Sequence, residues 1–343
     1  MLVKGDMELL ILLGLTLAAM YAFAIGANDM ANVIAVLIGG KVTSFKIAVL
    51  MFTVSVTLGS LLQGYMVMKT LGKGVVKNLD IYGAVSASLA ALIWVLTATR
   101  LGLPVSTSQS ITSGVLGSGL AIALISNSFE EINFTVVENI IISWTISPLL
   151  ALFAAALTYM VFEKTKLKDE TVKALSLAVA FWNGYSFGAN DVANATGVYL
   201  TLVGTLPLMF GVQGNVYLAL YGALFIILGG ILMGRRVVET MGFKITRLDP
   251  VGSLSSSLIT ATSVWVFTTI PYLLFGYGLP VSTTYISVGS IMGVGVAKYR
   301  SFRRGLNSKI VLTILLSWAL TLPINIVLSM CFYYGLIRVF IGA

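Results

Sequence analysis

Two aspartates stand where an ionisable side chain is costly. Asp29 and Asp191 are the one charge each in residues 9–40 and 174–234. A carboxylate at membrane depth costs several kcal/mol and is functional by default. Both sit in the same seven-residue frame, GANDMAN at 26–32 and GANDVAN at 188–194. On a helix Asp29 and Asn32 share a face, as do Asn28 and Asn32. Asn28, Asp29 and Asn32, with Asn190, Asp191 and Asn194, offer anionic and amide oxygens, the donors that hard cations such as sodium prefer. Gly-Ala ahead of each Asn-Asp permits a helix break whose free carbonyl completes the shell. Proton uptake by the Asp is the alternative.

A second pair of segments is rich in hydroxyls. Pro104 precedes Ser106, Thr107, Ser108, Gln109 and Ser110, and Pro280 precedes Ser282, Thr283 and Thr284. Pro followed by Ser or Thr marks a helix start. Each start lies inside a charge-free stretch, so its free N–H groups and positive dipole end form an anion site at membrane depth. Hydroxyls add donors for tetrahedral oxygens. No Lys or Arg lies in either stretch, and the two aspartates would repel an anion. A cation bound at each Asp removes that conflict, which favours coupled symport over uniport.

The elements that must position these residues are membrane helices. The chain has 343 residues, 58% hydrophobic and 10% charged, where a soluble domain carries about 25% charged. A soluble enzyme and a disordered chain are both excluded. Residues 47–68, 81–99, 101–129, 139–162, 250–297 and 310–337 carry no charge. At about 20 residues per crossing, the apolar windows hold roughly a dozen helical segments. Their runs do not alternate as barrel strands do. The fold class is therefore an all-α polytopic membrane protein. With no His and one Cys, Cys331, His relays, Ser-His-Asp triads and Cys-based clusters are removed, and no cofactor is implied. The net charge of +8 sits mostly in short loops and faces anionic lipid rather than nucleic acid. No phosphate-binding G-x-x-x-x-G-K-[ST] loop is present, which argues against ATP-driven transport.

The chain also repeats itself. GKGVVKN (72–78) pairs with GRRVVET (234–240), GLPVSTS (102–108) with GLPVSTT (278–284), and Ser143-Trp144 with Ser317-Trp318. The offset grows from 162 (191 − 29) to 176 (280 − 104), which places an insert near 241–256. Residues 1–162 form the first repeat, 163–173 a short polar linker, and 174–343 the second repeat. Glu130 and Glu131 occupy one loop, whereas the equivalent loop carries Lys298, Arg300, Arg303, Arg304 and Lys309. Basic loops face the cytoplasm. This predicts inverted repeats, both termini outside, and residues 163–173 and 298–309 inside. The loops at 69–77 and 235–247 are both basic and fit that scheme less well. The five tryptophans and the basic cluster read as packing and orientation signals.

Taken together, these motifs resemble the inorganic phosphate transporter family, over residues 20–330. The resemblance implies re-entrant hairpins around the PVST segments and symport of phosphate with sodium or protons. It assigns Asn28, Asp29, Asn32, Asn190, Asp191 and Asn194 to cations, and Ser106–Ser110 with Ser282, Thr283 and Thr284 to phosphate. Gln109 aligns with Tyr285, so the site is not fully symmetric. A channel or a carrier for another oxyanion such as sulfate, and an intramembrane aspartyl hydrolase, are the competing readings. The sequence leaves a homodimer open.

Overall fold

The computed structural model describes residues 4–200 and 214–340. Among the described residues the architecture is helical, with one isolated antiparallel bridge between Val76 and Ile132. The charge-free windows become the long helices: α1 (Lys4–Gly39), α2 (Phe45–Gln63), α4 (Ile81–Arg100), α5 (Thr107–Ser126) and α6 (Phe134–Thr165) in the first half. Their equivalents are α7 (Asp169–Thr196), α8 (Gly214–Met233), α10 (Pro250–Phe275), α11 (Thr283–Tyr299) and α13 (Ser308–Phe340). Short helices α3 (Tyr65–Lys69) and α9 (Arg235–Glu239) each run into a π turn, Thr70–Gly74 and Thr240–Lys244. A single-turn helix, α12 (Phe302–Gly305), precedes α13.

Eight described helices are long and apolar enough to cross a bilayer. The burial pattern agrees, because it is inside out. Leu12, Phe153, Leu157 and Leu232 are exposed on the outside, while Asp29, Asp191, Asn190 and Asn194 are fully buried. Apolar side chains facing outward need a lipid solvent, and in lipid every backbone group must find its partner within the protein.

The two halves are inverted copies. Asn183 of α7 donates to the Asn32 carbonyl of α1 at 3.1 Å, while Thr107 approaches both Asp29 and Asp191. Moving forward along α1 from 29 to 32 therefore means moving backward along α7 from 191 to 183. Equivalent helices run antiparallel, which is what inversion requires.

The alignment of the halves differs from the sequence expectation in one respect. The π turns pair Thr70 with Thr240 (240 − 70 = 170), not Gly72 with Gly234. The N-caps Asp80 and Asp249 follow at 169 (249 − 80). Eight added residues thus precede α9 (170 − 162), and seven more fall between Thr268 and Pro280 (176 − 169). No insert lies at 241–256. The similar GKGVV and GRRVV strings misled because they match residue types, not the glycine that the π turn places against another backbone. The second addition lengthens α10, which has 26 residues against 20 in α4.

Each hairpin is clasped by the last helix of the other repeat. Hairpin α4–α5 packs on α13, and α10–α11 packs on α6. At the base of the first, Tyr333 donates to Asp80 at 2.9 Å; at the base of the second, Tyr159 donates to Asp249 at 3.2 Å. At the tips, Trp318 Nε1 donates to the Pro104 carbonyl at 3.1 Å and Trp144 Nε1 to the Pro280 carbonyl at 3.0 Å. Trp318 and Trp144 each lie ten residues into their helices (318 − 308; 144 − 134). Each tip therefore stops about 15 Å short of the start of its clasping helix, which makes both hairpins re-entrant. Trp144→Phe and Trp318→Phe should each lower stability by about 1 kcal/mol, the net worth of one hydrogen bond. Thermal unfolding of the single and double variants checks whether the two losses match and add.

Glycines set the helix crossings. A Cβ at Gly26 of α1 would lie 1.7 Å from the Ile226 carbonyl oxygen of α8, and one at Gly229 of α8 would lie 1.8 Å from that of Phe23. The second copy of this crossing uses Gly188 against Val56 and Gly59 against Tyr185. Close backbone approach through small residues is how membrane helices associate without a hydrophobic driving force.

Candidate functional site

The two hairpin tips and the two aspartates meet at one place. Pro-Val-Ser ends each tip in extended backbone, and the serine then caps a helix: Ser106 Oγ accepts from Gln109 N at 3.0 Å, and Ser282 Oγ from Tyr285 N at 3.1 Å. The expected starts at Thr107 and Thr283 follow from those caps. All fourteen residues singled out from the sequence converge here, and the most exposed of them, Gln109, is 7% accessible.

Asp29 accepts from Thr107 Oγ1 at 2.6 Å and from Thr284 Oγ1 at 3.1 Å. Asp191 accepts from Asn194 Nδ2 at 2.9 Å and from Thr283 Oγ1 at 3.3 Å. Thr107 Oγ1 also lies 3.4 Å from Asp191. With one proton to give, it serves Asp29 and only approaches Asp191. The carboxylates thus share one cluster, which the flanking asparagines alone did not foretell.

The asparagines divide into two kinds. Asn28 and Asn190 fasten the tips. Asn28 Nδ2 donates to Thr99 Oγ1 and the Leu103 carbonyl, and its Oδ1 accepts from Val105 N. Asn190 Nδ2 donates to Thr268 Oγ1 and the Leu279 carbonyl. Asn32 reaches across to Thr283 and Thr284, and Asn194 to Ser108. Four buried acceptor oxygens here have no hydrogen-bond partner: Asn32 Oδ1, Asn190 Oδ1, Asp191 Oδ2 and Asn194 Oδ1. Leaving such atoms unpaired is costly. A set of orphaned oxygens, one of them anionic, suits a hard cation.

The hydroxyls are turned inward. Ser108 Oγ donates to the Val281 carbonyl and Ser110 Oγ to that of Ser106, while Thr284 Oγ1, whose proton serves Asp29, lies 3.0 Å from the Val105 carbonyl. The tips are knitted to each other and to the carboxylates. Among the described residues, no Lys or Arg side chain pairs with any member of the cluster.

Helix α1 runs unbroken through Gly39 and α7 through Thr196, so the GAND frames contain no break and supply no unwound carbonyl. The discontinuities lie at the π turns and the tips. Sequence reasoning also missed several contributors. Tyr21 donates to the Thr107 carbonyl at 2.7 Å, and Tyr285 bonds Gln109 while stacking on Trp318 at 3.8 Å. The repeated Ser-Trp pair was the available signal that both tryptophans hold the tips.

The phosphate transporter family model matches residues 25–184 and 168–329. This chain belongs to the phosphate transporter family. It is a transporter, not an enzyme, so the shared carboxylates do not make a hydrolase. A Thermococcus kodakarensis protein named as a phosphate permease is 28% identical, over 90% of this chain and 93% of its own. A sulfate permease of Bacillus subtilis is 29% identical, over 94% and 86%. The solved structure of a sodium-dependent phosphate transporter superposes with a TM-score of 0.78, at 26% identity, over 96% of this transporter and 99% of that chain.

Proposed function

We propose that this transporter imports inorganic phosphate across the cell membrane by symport with sodium, through alternating access around the cluster between the tips. The observation that carries the reading is the set of four orphaned oxygens at Asn32, Asn190, Asp191 and Asn194, beside two helix starts rich in hydroxyls. Sodium sits at those oxygens together with Asp29. Phosphate takes the hydroxyls and N–H groups of residues 106–110 and 282–284 once the tips part. Neutral donors hold a multiply charged anion there because the bound cations offset its charge. By linkage, sodium and phosphate raise each other's affinity by the same factor. Sulfate is the second reading, favoured by the Bacillus sulfate permease. A proton at the Asp pair is the alternative coupling ion.

Uptake of labelled phosphate into proteoliposomes tests this. An inward sodium gradient should drive accumulation, a proton gradient alone should not, and excess sulfate should compete weakly. Sodium-independent uptake overturns the coupling, and strong sulfate competition overturns the substrate.

Thr107→Val keeps the shape and removes the hydroxyl that bonds Asp29 and lies 3.4 Å from Asp191. It should weaken phosphate affinity at saturating sodium by about 1.5–3 kcal/mol, the range for hydrogen bonds to charged groups. Equilibrium binding reads that loss directly.

In this scheme residues 1–162 and 174–343, joined at 163–173, each contribute one hairpin and the helix that clasps the other's, with both termini outside. In a Cys331→Ser background, a cysteine at Ser301 should react with an impermeant thiol reagent only from the cytoplasmic side.

A further inference from the structure

Away from the cluster, the second repeat holds a cavity of about 610 Å3 at the helix ends near residue 305. Its wall is formed by the π turn after α9, residues 245–247 that lead into α10, the end of α11, the single-turn α12 and the start of α13. Lys244, Arg247 and Arg304 line it, together with Tyr299, Asn307 and Phe243. Among the described residues, none of the three cations makes an ion pair. The carboxylate closest in sequence, Asp249, is already taken. It caps Gly252 N at 2.7 Å and pairs with Lys298 at 2.8 Å.

The equivalent corner of the first repeat is built differently. In both corners an asparagine N–H donates to the backbone just after the π turn, Asn133 to Val75 and Asn307 to Ile245, each at 3.0 Å. In the first corner Lys77 Nζ bonds the Glu130 carbonyl and Asn78 bonds the Glu131 carboxylate. That corner supplies its own acceptors. The second gathers three cations around open volume with no carboxylate among its lining residues.

We propose that this cavity binds a phosphate-bearing anion, the headgroup of an anionic phospholipid. The volume lies within the 300–1,000 Å3 of small-molecule sites. Basic pockets between helix ends are suited to lipid headgroups. Exposed Phe243, with the half-buried Leu306 and Ile310, lines it and gives the acyl chains an apolar surface. Free inorganic phosphate shares the headgroup's chemistry, so the test separates the two. Because the cavity wall includes the base of hairpin α10–α11, an occupant fixes that base against α13. The site is independent of the coupling ion and of which oxyanion is carried.

The test uses purified transporter in phosphatidylcholine nanodiscs containing a small fraction of phosphatidylglycerol, with retained lipid counted by native mass spectrometry. The triple variant Lys244→Gln/Arg247→Gln/Arg304→Gln should bind phosphatidylglycerol roughly 100-fold more weakly, from the roughly fivefold that each such cation contributes. A control, Lys164→Gln/Lys166→Gln/Lys168→Gln, removes the same charge from the 163–173 junction and should stay within about threefold of the parent. Should the triple variant lose its thermal transition, Arg304→Gln alone should weaken binding about fivefold. Millimolar inorganic phosphate should leave the bound lipid in place. Displacement by phosphate, with matching phosphate binding in pure phosphatidylcholine, would assign the cavity to free phosphate instead. Equal losses in both triple variants, or no loss in either, would overturn the site.

Discussion

Asp191→Asn is expected to reduce sodium-driven phosphate uptake by at least 100-fold, and Asp29→Asn by a similar factor. Asp191 Oδ2 is a buried, unpartnered anionic oxygen, and the amide that replaces it carries no charge. The loss of one charge-assisted contact is worth about 1.5–3 kcal/mol. Because the cluster contains no Lys or Arg, the bound cation must also offset the anion's charge, so the loss is counted twice. The fold should survive, since Asn can still accept from Asn194 and Thr283. Uptake in proteoliposomes over a range of sodium concentrations, with thermal unfolding as the control, decides the matter. Wild-type sodium dependence in both variants would remove the carboxylates from the coupling site.

The other large effect is expected at the helix crossings. Gly26→Val and Gly188→Val should each prevent assembly of a monodisperse protein in detergent. The new Cβ would meet a carbonyl oxygen at 1.7 Å in the first case and 2.2 Å in the second. No rotamer relieves a clash with backbone, so one helix of each pair must move, and overpacking of this kind exceeds the usual 1–3 kcal/mol. Gly335→Ala is the contrast. Nothing lies within 4 Å of that added methyl, and alanine favours a helix interior over glycine. Size-exclusion profiles of the three variants should separate cleanly, with only Gly335→Ala matching the parent.

Much of the site was legible because its parts are short and repeated. The Asn-Asp frame, the Pro-Val-Ser-Thr string and the charge-free windows each state a local rule, and two copies of each made the rule hard to miss. Inversion was legible from Glu130 and Glu131 set against the basic residues 298–309. What stayed hidden depends on residues far apart in the chain. That Tyr21 reaches the Thr107 carbonyl, or that Asn194 reaches Ser108, leaves no trace in local spacing. The register of the π turns was misread because the short string after Gly234 imitates the one after Gly72 in composition alone. The continuity of α1 through Gly26 was misread for a physical reason. Glycine permits a break, but here it admits a neighbouring backbone, and one sequence symbol serves both purposes.

The clasp also fixes an order of events during synthesis. Hairpin α4–α5 is complete once residue 126 has emerged, yet its tip is secured by Trp318, 214 residues after Pro104 (318 − 104). At 5–20 residues per second this is a wait of roughly 10–40 s. In that interval the first tip is held by bonds to Asn28, Asp29 and Tyr21 of α1, joined later by Asn194 of α7. The second hairpin waits for nothing, because α6 precedes it on the ribosome. The nascent chain is thus lopsided in time although the finished molecule is nearly symmetric, and its first hairpin is the part most dependent on the membrane insertion machinery for shelter.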